Sequence, residues 1–78
     1  ILSEAAKILQ LSGIADPRRE AASLLALALG KNRTFLVAHP EYEVSELEAI
    51  RYRDVLLRRA NREPFQYIAG RQEFYGLD

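Results

Sequence analysis

Few side chains in this chain have the types and spacing that catalysis or metal binding would need. His39 is the single histidine and cysteine is absent, so the chain lacks a second strong metal ligand and a thiolate nucleophile. His39 precedes Pro40 at the end of a predicted helix, where the helix dipole favours a cationic imidazole. The sequence therefore predicts no catalytic residue and no metal ligand, and it favours a capping role for His39.

The spacing of the glycines argues against a phosphate-binding loop. A nucleotide site of that kind requires closely spaced glycines between a strand and a helix. The four glycines instead stand singly where predicted elements end: Gly13, Gly30, Gly70 and Gly76. We therefore predict no cofactor-binding residue within the chain.

Arginines concentrate in the second half of a predicted helix that begins at residue 46. Glutamates precede or open that helix, so its charges follow the order that the helix dipole prefers. Alternatively, Arg51, Arg58 and Arg62 nearly align on one face and could contact nucleic-acid phosphates. The dipole interpretation is favoured, and nucleic acid is the disfavoured partner. The residues predicted to meet an acidic partner surface are Arg58, Arg59, Arg62 and Arg71.

Aromatic and amide side chains gather after Pro64. Two roles are equally compatible with this concentration. The side chains could pack the last helix against its neighbour, or they could form a joint with a following domain. The residues predicted for that joint are Gln66, Tyr67, Phe74 and Tyr75.

Composition is that of a small globular domain. With 78 residues, 49% of them hydrophobic, the chain has room for one small core and is too apolar for disorder. Eleven basic side chains balance eleven acidic ones, so no global charge attracts nucleic acid or a membrane surface. No apolar run approaches the roughly 20 residues that span a bilayer. We expect a cytoplasmic location and, because the first residue is Ile, a module cut from a longer protein.

Apolar periodicity and end signals predict a compact all-α bundle of five helices. The second helix is expected to lie at the centre of the core, through one apolar arc: Ala21, Leu24, Leu25, Ala28 and Leu29. The end signals are glycine stops, N-caps and a capping box: Gly13, Gly30, Asp16 before Pro17, Asn32, and Ser45 with Glu48. The predicted helices cover residues 1–12, 17–29, 33–38, 46–61 and 64–69.

The fourth predicted helix contains a local inconsistency at Arg53. This residue projects into the middle of the predicted apolar arc: Ala49, Ile50, Tyr52, Leu56, Leu57 and Ala60. A buried charge without a partner would cost several kcal/mol. We therefore expect Arg53 either to pair or to lay its stem over the core and reach water.

The tail is predicted to leave the bundle after Gly70. Pro64 suits the first position of a short fifth helix, and Gly70 is placed to end it. Phe74, Tyr75 and Leu77 favour a strand. Residues 1–70 are therefore predicted to form the helical domain, and residues 71–78 to begin a linker or hairpin toward an absent domain.

Two runs of residues resemble a known family. The tail reads Arg58-Arg59-Ala60-x-x-Glu63-Pro64-Phe65-Gln66-Tyr67-Ile68-x-Gly70, then Glu73-Phe74-Tyr75-Gly76-Leu77. The second helix reads Asp16-Pro17-Arg18-Arg19-Glu20-Ala21-x-x-Leu24-Leu25-Ala26-x-x-Leu29-Gly30. Both are similar to the N-terminal region of HemK/PrmC proteins, the glutamine methyltransferases of peptide-chain release factors. Leucine is commoner than Phe65 in the family motif, a departure that should leave packing intact.

The resemblance implies a parent enzyme that moves a methyl group from S-adenosylmethionine to the glutamine amide of a release factor's Gly-Gly-Gln motif. In this family an Asn-Pro-Pro-Tyr motif and a glycine-rich cofactor loop supply the chemistry, and neither occurs in residues 1–78. The resemblance therefore implies a non-catalytic domain that docks the release factor and adjoins its own C-terminal methyltransferase domain. Two rival hypotheses remain, an RNA-binding helical module and a purely structural brace.

Overall fold

The computed structural model describes the backbone of residues 2–76 and the side chains of residues 2–70. It contains five helices and, within residues 2–76, no strand: α1 (Leu2–Leu11), α2 (Pro17–Leu29), α3 (Arg33–Ala38), α4 (Glu46–Ala60) and α5 (Phe65–Gly76). The all-α prediction is confirmed, and the first four helices lie within about a residue of their predicted ends. None of these helices combines the length and apolar character needed to cross a bilayer.

Most of the predicted helix ends are confirmed by their hydrogen bonds. After α1, Gly13 has a φ of 81°, and the N–H of Ile14 donates to the carbonyl of Leu9 at 3.0 Å. Gly30 ends α2 in the same left-handed geometry. Such a glycine stop satisfies carbonyls that a helix end would otherwise leave without partners. The side chain of Asn32 caps α3, and the capping box opens α4.

The N-cap predicted at Asp16 is wrong. Asp16 has φ 52° and ψ 54°, and its carboxylate accepts no capping hydrogen bond. A side-chain cap requires an extended backbone at the N-cap position, and a left-handed residue points its side chain elsewhere. Pro17 nevertheless begins α2 as predicted.

The core is built around α2, which contacts each of the other four helices. Its predicted apolar arc is buried in full. The alanines in that arc leave little side-chain bulk, which lets neighbouring backbones approach. The packed partners come from the remaining long helices: Ala5, Ala6 and Leu9 of α1, Tyr52, Val55 and Leu56 of α4, and Ile68 of α5.

The predicted buried face of α4 is rotated from the observed one. Val55 lies outside the predicted arc but is fully buried, whereas Ile50 and Leu57 lie inside it and are 60% and 51% exposed. Arg53 is exposed to solvent, so no buried charge needs a partner there. The hydroxyl of Tyr52 explains part of the rotation, because it donates to the carbonyl of Ala21 at 2.9 Å and so turns this side of α4 toward α2.

The predicted end of α5 at Gly70 and the predicted strand after it are also wrong. The helix continues through Gly76. Gly70 lacks the positive φ that Gly13 and Gly30 adopt, so it serves as an ordinary helical residue at a cost of about 0.5–1 kcal/mol relative to alanine. Arg71, Gln72 and Glu73 favour helix, and no partner strand exists within residues 2–76. Leu77 and Asp78 lie outside the described residues.

Tyr52→Phe is expected to lower the free energy of unfolding by about 1 kcal/mol at neutral pH, because it removes one buried hydrogen bond and keeps the ring. Burial raises the pKa of the Tyr52 hydroxyl from 10.0 to about 12. The stabilisation from the protonated hydroxyl is therefore complete below pH 10 and is lost as the pH approaches about 12. Urea unfolding of both proteins at neutral and alkaline pH checks this. An equal decrease in the free energy of unfolding at alkaline pH in the two proteins would contradict this prediction.

Candidate functional site

A surface groove lies where the start of α2 meets the junction of α4 and α5. Its volume is about 770 Å³. Its lining includes three of the predicted site residues, Arg59, Arg62 and Gln66. The remaining lining comes from the α2 side and from the start of α5: Ala15, Asp16, Arg19, Glu20, Ser23, Pro64 and Phe65. We call this the α2–α5 groove.

An ion pair between α2 and α4 lines the groove. The Nε of Arg59 donates to Oε1 of Glu20 at 2.7 Å, and Nη2 donates to Oε2 at 3.2 Å. Nη1 of Arg59 also donates to the backbone carbonyl of Glu63 at 3.3 Å. The Glu20 carboxylate raises the pKa of Arg59. A two-point arginine–carboxylate pair constrains direction as well as distance, so Arg59 joins α2 to the end of α4.

Arg58 is also held by carboxylates of its own chain. Its Nε lies 3.4 Å from Oδ2 of Asp54, and its Nη1 lies 4.0 Å from Oε2 of Glu63. Its side chain is about one third exposed, so a partner can reach it only in competition with these groups.

Arg62 occupies the left-handed position that ends α4. Its φ is 73°, and the N–H of Glu63 donates to the carbonyl of Arg58 at 3.1 Å, the same closing bond seen after α1 and α2. Its guanidinium lies over the turn at Gly13, where a Cβ would stand 2.7 Å from Nη2. Arg62 is exposed and, within residues 2–70, makes no salt bridge. Among Arg58, Arg59 and Arg62, the predicted arginines whose side chains are described, it is therefore the most accessible to a partner.

The other predicted site residues divide between exposed positions and positions outside the described side chains. Gln66 and Tyr67 are exposed on α5, Tyr67 to 68%. The side chains of Arg71, Phe74 and Tyr75 lie outside the described residues.

The predicted alignment of Arg51, Arg58 and Arg62 on one helix face is wrong. Helix α4 ends at Ala60, and Arg62 has left-handed backbone geometry beyond it. Helical spacing therefore does not extend the alignment of Arg51 and Arg58 to Arg62, which weakens the geometric argument for a nucleic-acid site.

Seven groove residues were not predicted as site residues: Ala15, Asp16, Arg19, Glu20, Ser23, Pro64 and Phe65. The sequence pattern predicts a helix cap at Asp16 and a packing role for Phe65. The fold places α2, the turn after α4 and the start of α5 around one groove, which brings these residues together with Arg62. The one feature of the sequence that points to these residues is that the runs beginning at Asp16 and at Arg58 both belong to the family motifs.

A separate polar and aromatic cluster lies between α3 and α4. The ring of His39 packs against Phe35 with centroids 4.5 Å apart, and its backbone N–H donates to the carbonyl of Phe35. The Tyr42 hydroxyl donates to the Glu48 carboxylate, 2.9 Å and 2.8 Å from its two oxygens. Hydrogen bonds from the Ser45 backbone and from Tyr42 lower the pKa of Glu48. This cluster holds the connection between α3 and α4 in place.

Metal binding has no support in the described part of the chain. No three His, Cys, Asp or Glu side chains there are grouped closely enough to hold a metal ion.

Comparison with known proteins supports the resemblance seen in the sequence. The family model for the PrmC N-terminal domain matches residues 1–70. The chain belongs to the PrmC N-terminal domain family. A release factor glutamine methyltransferase from Koribacter versatilis is 42% identical over 95% of this chain, and one from Agrobacterium fabrum is 42% identical over 99% of it.

A third relative, a bifunctional methyltransferase from Rickettsia bellii, is 43% identical over 99% of the chain. The PrmC N-terminal domain described here spans about a quarter of the first two relatives, 26% and 27%, and 14% of the third. No solved structure matches the chain.

Glu20→Gln and Arg59→Gln are each expected to lower the free energy of unfolding by about 1–2 kcal/mol, because each leaves a partly buried charge without its partner. A double-mutant cycle should give an interaction energy on the order of 1 kcal/mol. Urea titrations measure it, with exposed Arg51→Gln as a control expected to change stability little. An interaction energy near zero would show that the pair contributes nothing.

Arg62→Gly is expected to raise the free energy of unfolding by about 1 kcal/mol, because glycine adopts a positive φ without the clash of a Cβ. Gly13→Ala should do the opposite, since φ is 81° and the new Cβ would meet Arg62 at 2.7 Å. Thermal melts of the two variants check both signs. A lower melting temperature for Arg62→Gly would show that its packing outweighs the strain.

Proposed function

We propose that this PrmC N-terminal domain holds a peptide-chain release factor while a second domain of the same cytoplasmic polypeptide methylates it. The parent enzyme would transfer a methyl group from S-adenosylmethionine to the glutamine amide nitrogen of the Gly-Gly-Gln motif. Family membership over residues 1–70 carries the proposal. The names of the relatives, release factor glutamine methyltransferases, support it.

The α2–α5 groove does not suit S-adenosylmethionine. The cofactor carries a positive sulfonium, and the groove presents Arg19 and Arg62 without paired carboxylates among residues 2–70. Like charges at close range repel. The chain also lacks clustered glycines that would cradle the rest of the cofactor. We therefore assign cofactor binding and catalysis to the second domain, and docking to this one.

Docking can accelerate a reaction that occurs elsewhere in the enzyme. A side-chain amide nitrogen is a poor nucleophile, so its orientation toward the methyl donor matters. Binding energy from a remote part of the substrate can be used to hold the reacting group in place. A rigid helical domain with an accessible basic surface suits this role.

The end of the chain is proposed to lead into the methyltransferase domain. The family match ends at residue 70, and α5 carries the backbone on as a helix through Gly76. Residues 71–78 would begin the connection. Gln66 and Tyr67, both exposed, would meet the second domain together with Phe74 and Tyr75.

Deleting residues 1–70 from the full-length parent tests the docking role. Methylation kinetics would be measured with the whole release factor and with a short Gly-Gly-Gln peptide too small to reach this domain. We expect kcat/KM for the release factor to fall roughly tenfold or more, about 1.4 kcal/mol or more of transition-state binding. The short peptide should be methylated at nearly the original rate.

The short peptide also reports whether the remaining domain is folded. Equal loss with both substrates would show that the N-terminal domain braces the catalytic domain, and would contradict docking. No loss with either substrate would contradict both roles.

A further inference from the structure

We propose that the α2–α5 groove is where the release factor binds and that it receives an acidic segment, a carboxylate beside Arg62 and Arg19 with an apolar side chain on Phe65. This inference rests on the proposed docking function and specifies its surface and its chemistry. Three independent observations carry it.

The first observation is the backbone at Arg62. Helices α1, α2 and α4 end with the same closing hydrogen bond, and the left-handed residue is Gly13, Gly30 and Arg62 in turn. Glycine is the favoured residue at this position because it has no Cβ. The favoured glycine therefore ends α1 and α2, whereas an arginine ends α4. A side chain kept where the backbone opposes it is a sign of function.

The second observation is the position of the non-glycine residues that have a positive φ. In the described part of the chain, Asp16 and Arg62 are the non-glycine residues with positive φ. They are far apart in the sequence, yet both line the α2–α5 groove. Strained residues cluster at ligand-binding sites, and here the cluster coincides with the accessible arginines.

The third observation is the charge balance within the groove. Arg59 and Glu20 satisfy each other. Arg19 and Arg62 make no salt bridge within residues 2–70, and Asp16 is the remaining acidic group. The groove therefore offers a surplus of positive charge on a chain whose formal net charge is zero. Complementary charge selects an acidic partner and raises its association rate.

The groove also contains apolar surface beside these charges. Pro64 and Phe65 lie on the α5 side, and Phe65 packs against the core with part of its surface left open. A protein segment can use both kinds of surface at once. A sugar-phosphate backbone has no apolar group to place on Phe65, whereas a protein segment can present a carboxylate and an apolar side chain together, so protein is the favoured occupant.

Two single substitutions with opposite charge effects test the inference in the full-length parent enzyme. Arg62→Gly removes a cation and relieves backbone strain, so KM for the whole release factor should rise roughly three- to tenfold while the melting temperature rises. Asp16→Asn removes an anion and keeps a residue that tolerates positive φ, so KM should fall. Arg51→Gln, an exposed α4 residue outside the groove, should leave KM unchanged.

Raised salt is expected to increase KM for the parent enzyme and to shrink the difference between the parent and Arg62→Gly, because ions screen exposed charges. An unchanged KM in Arg62→Gly would overturn the groove proposal. The docking function is tested separately, by the deletion of residues 1–70.

The remaining outcomes discriminate among occupants. A rise in KM for Asp16→Asn would show that the bound segment is basic, which overturns the chemistry proposed. If Arg62→Gly weakened binding of a mixed-sequence RNA and left the release factor KM unchanged, the groove would be a nucleic-acid site.

A photo-crosslinking amino acid at Ser23 should join the enzyme to an acidic segment of the release factor. Crosslinks only from the outer face of α4, at Leu47, would place docking there instead.

Discussion

Burial of one alanine- and leucine-rich face of α2 is the constraint on which the structure depends. This helix contacts all four others, and the small side chains of Ala21 and Ala28 allow close packing around it. Tyr52 binds the carbonyl of Ala21 from α4, so the same face also receives the main polar contact of the core. A chain of this size buries a limited share of its surface. Loss of the packing of any other helix against α2 is therefore expected to unfold the domain.

The arrangement around α2 also creates the α2–α5 groove. The start of α2 supplies Arg19 and Glu20, and the end of α4 supplies Arg59 and Arg62. The Glu20–Arg59 pair connects these two segments directly. The Arg59 guanidinium sets the geometry, whereas Arg62 is exposed and makes no salt bridge within residues 2–70. Arg59 and Arg62 thus stand three residues apart in the chain, and they differ in backbone conformation and in the groups that the fold places beside them.

Helix ends differ in how well their residues suit the backbone conformation. Glycine ends α1 and α2 in the conformation that glycine favours, while α4 ends on an arginine in that same conformation. Gly13 in turn leaves the space that the Arg62 guanidinium occupies. The two turns are therefore coupled, and a side chain added at Gly13, which does not line the groove, would disturb Arg62, which does.

The sequence alone determined the fold class, the first four helices and the family. These features depend on local chemistry: apolar spacing sets the face of α2, Gly13 and Gly30 stop helices, and Ser45 with Glu48 starts one. Three features required the tertiary structure, namely which face of α4 is buried, whether α5 stops at Gly70, and which arginine is accessible. The buried face of α4 is set by its contact with α2. Helix α5 continues past Gly70 because glycine permits a left-handed conformation without requiring it. Arg62 is accessible because Glu20 pairs with Arg59 instead. Residues 39 positions apart become partners only when the chain is folded, which is why no local pattern could separate the arginine that holds the fold from the one that faces solvent.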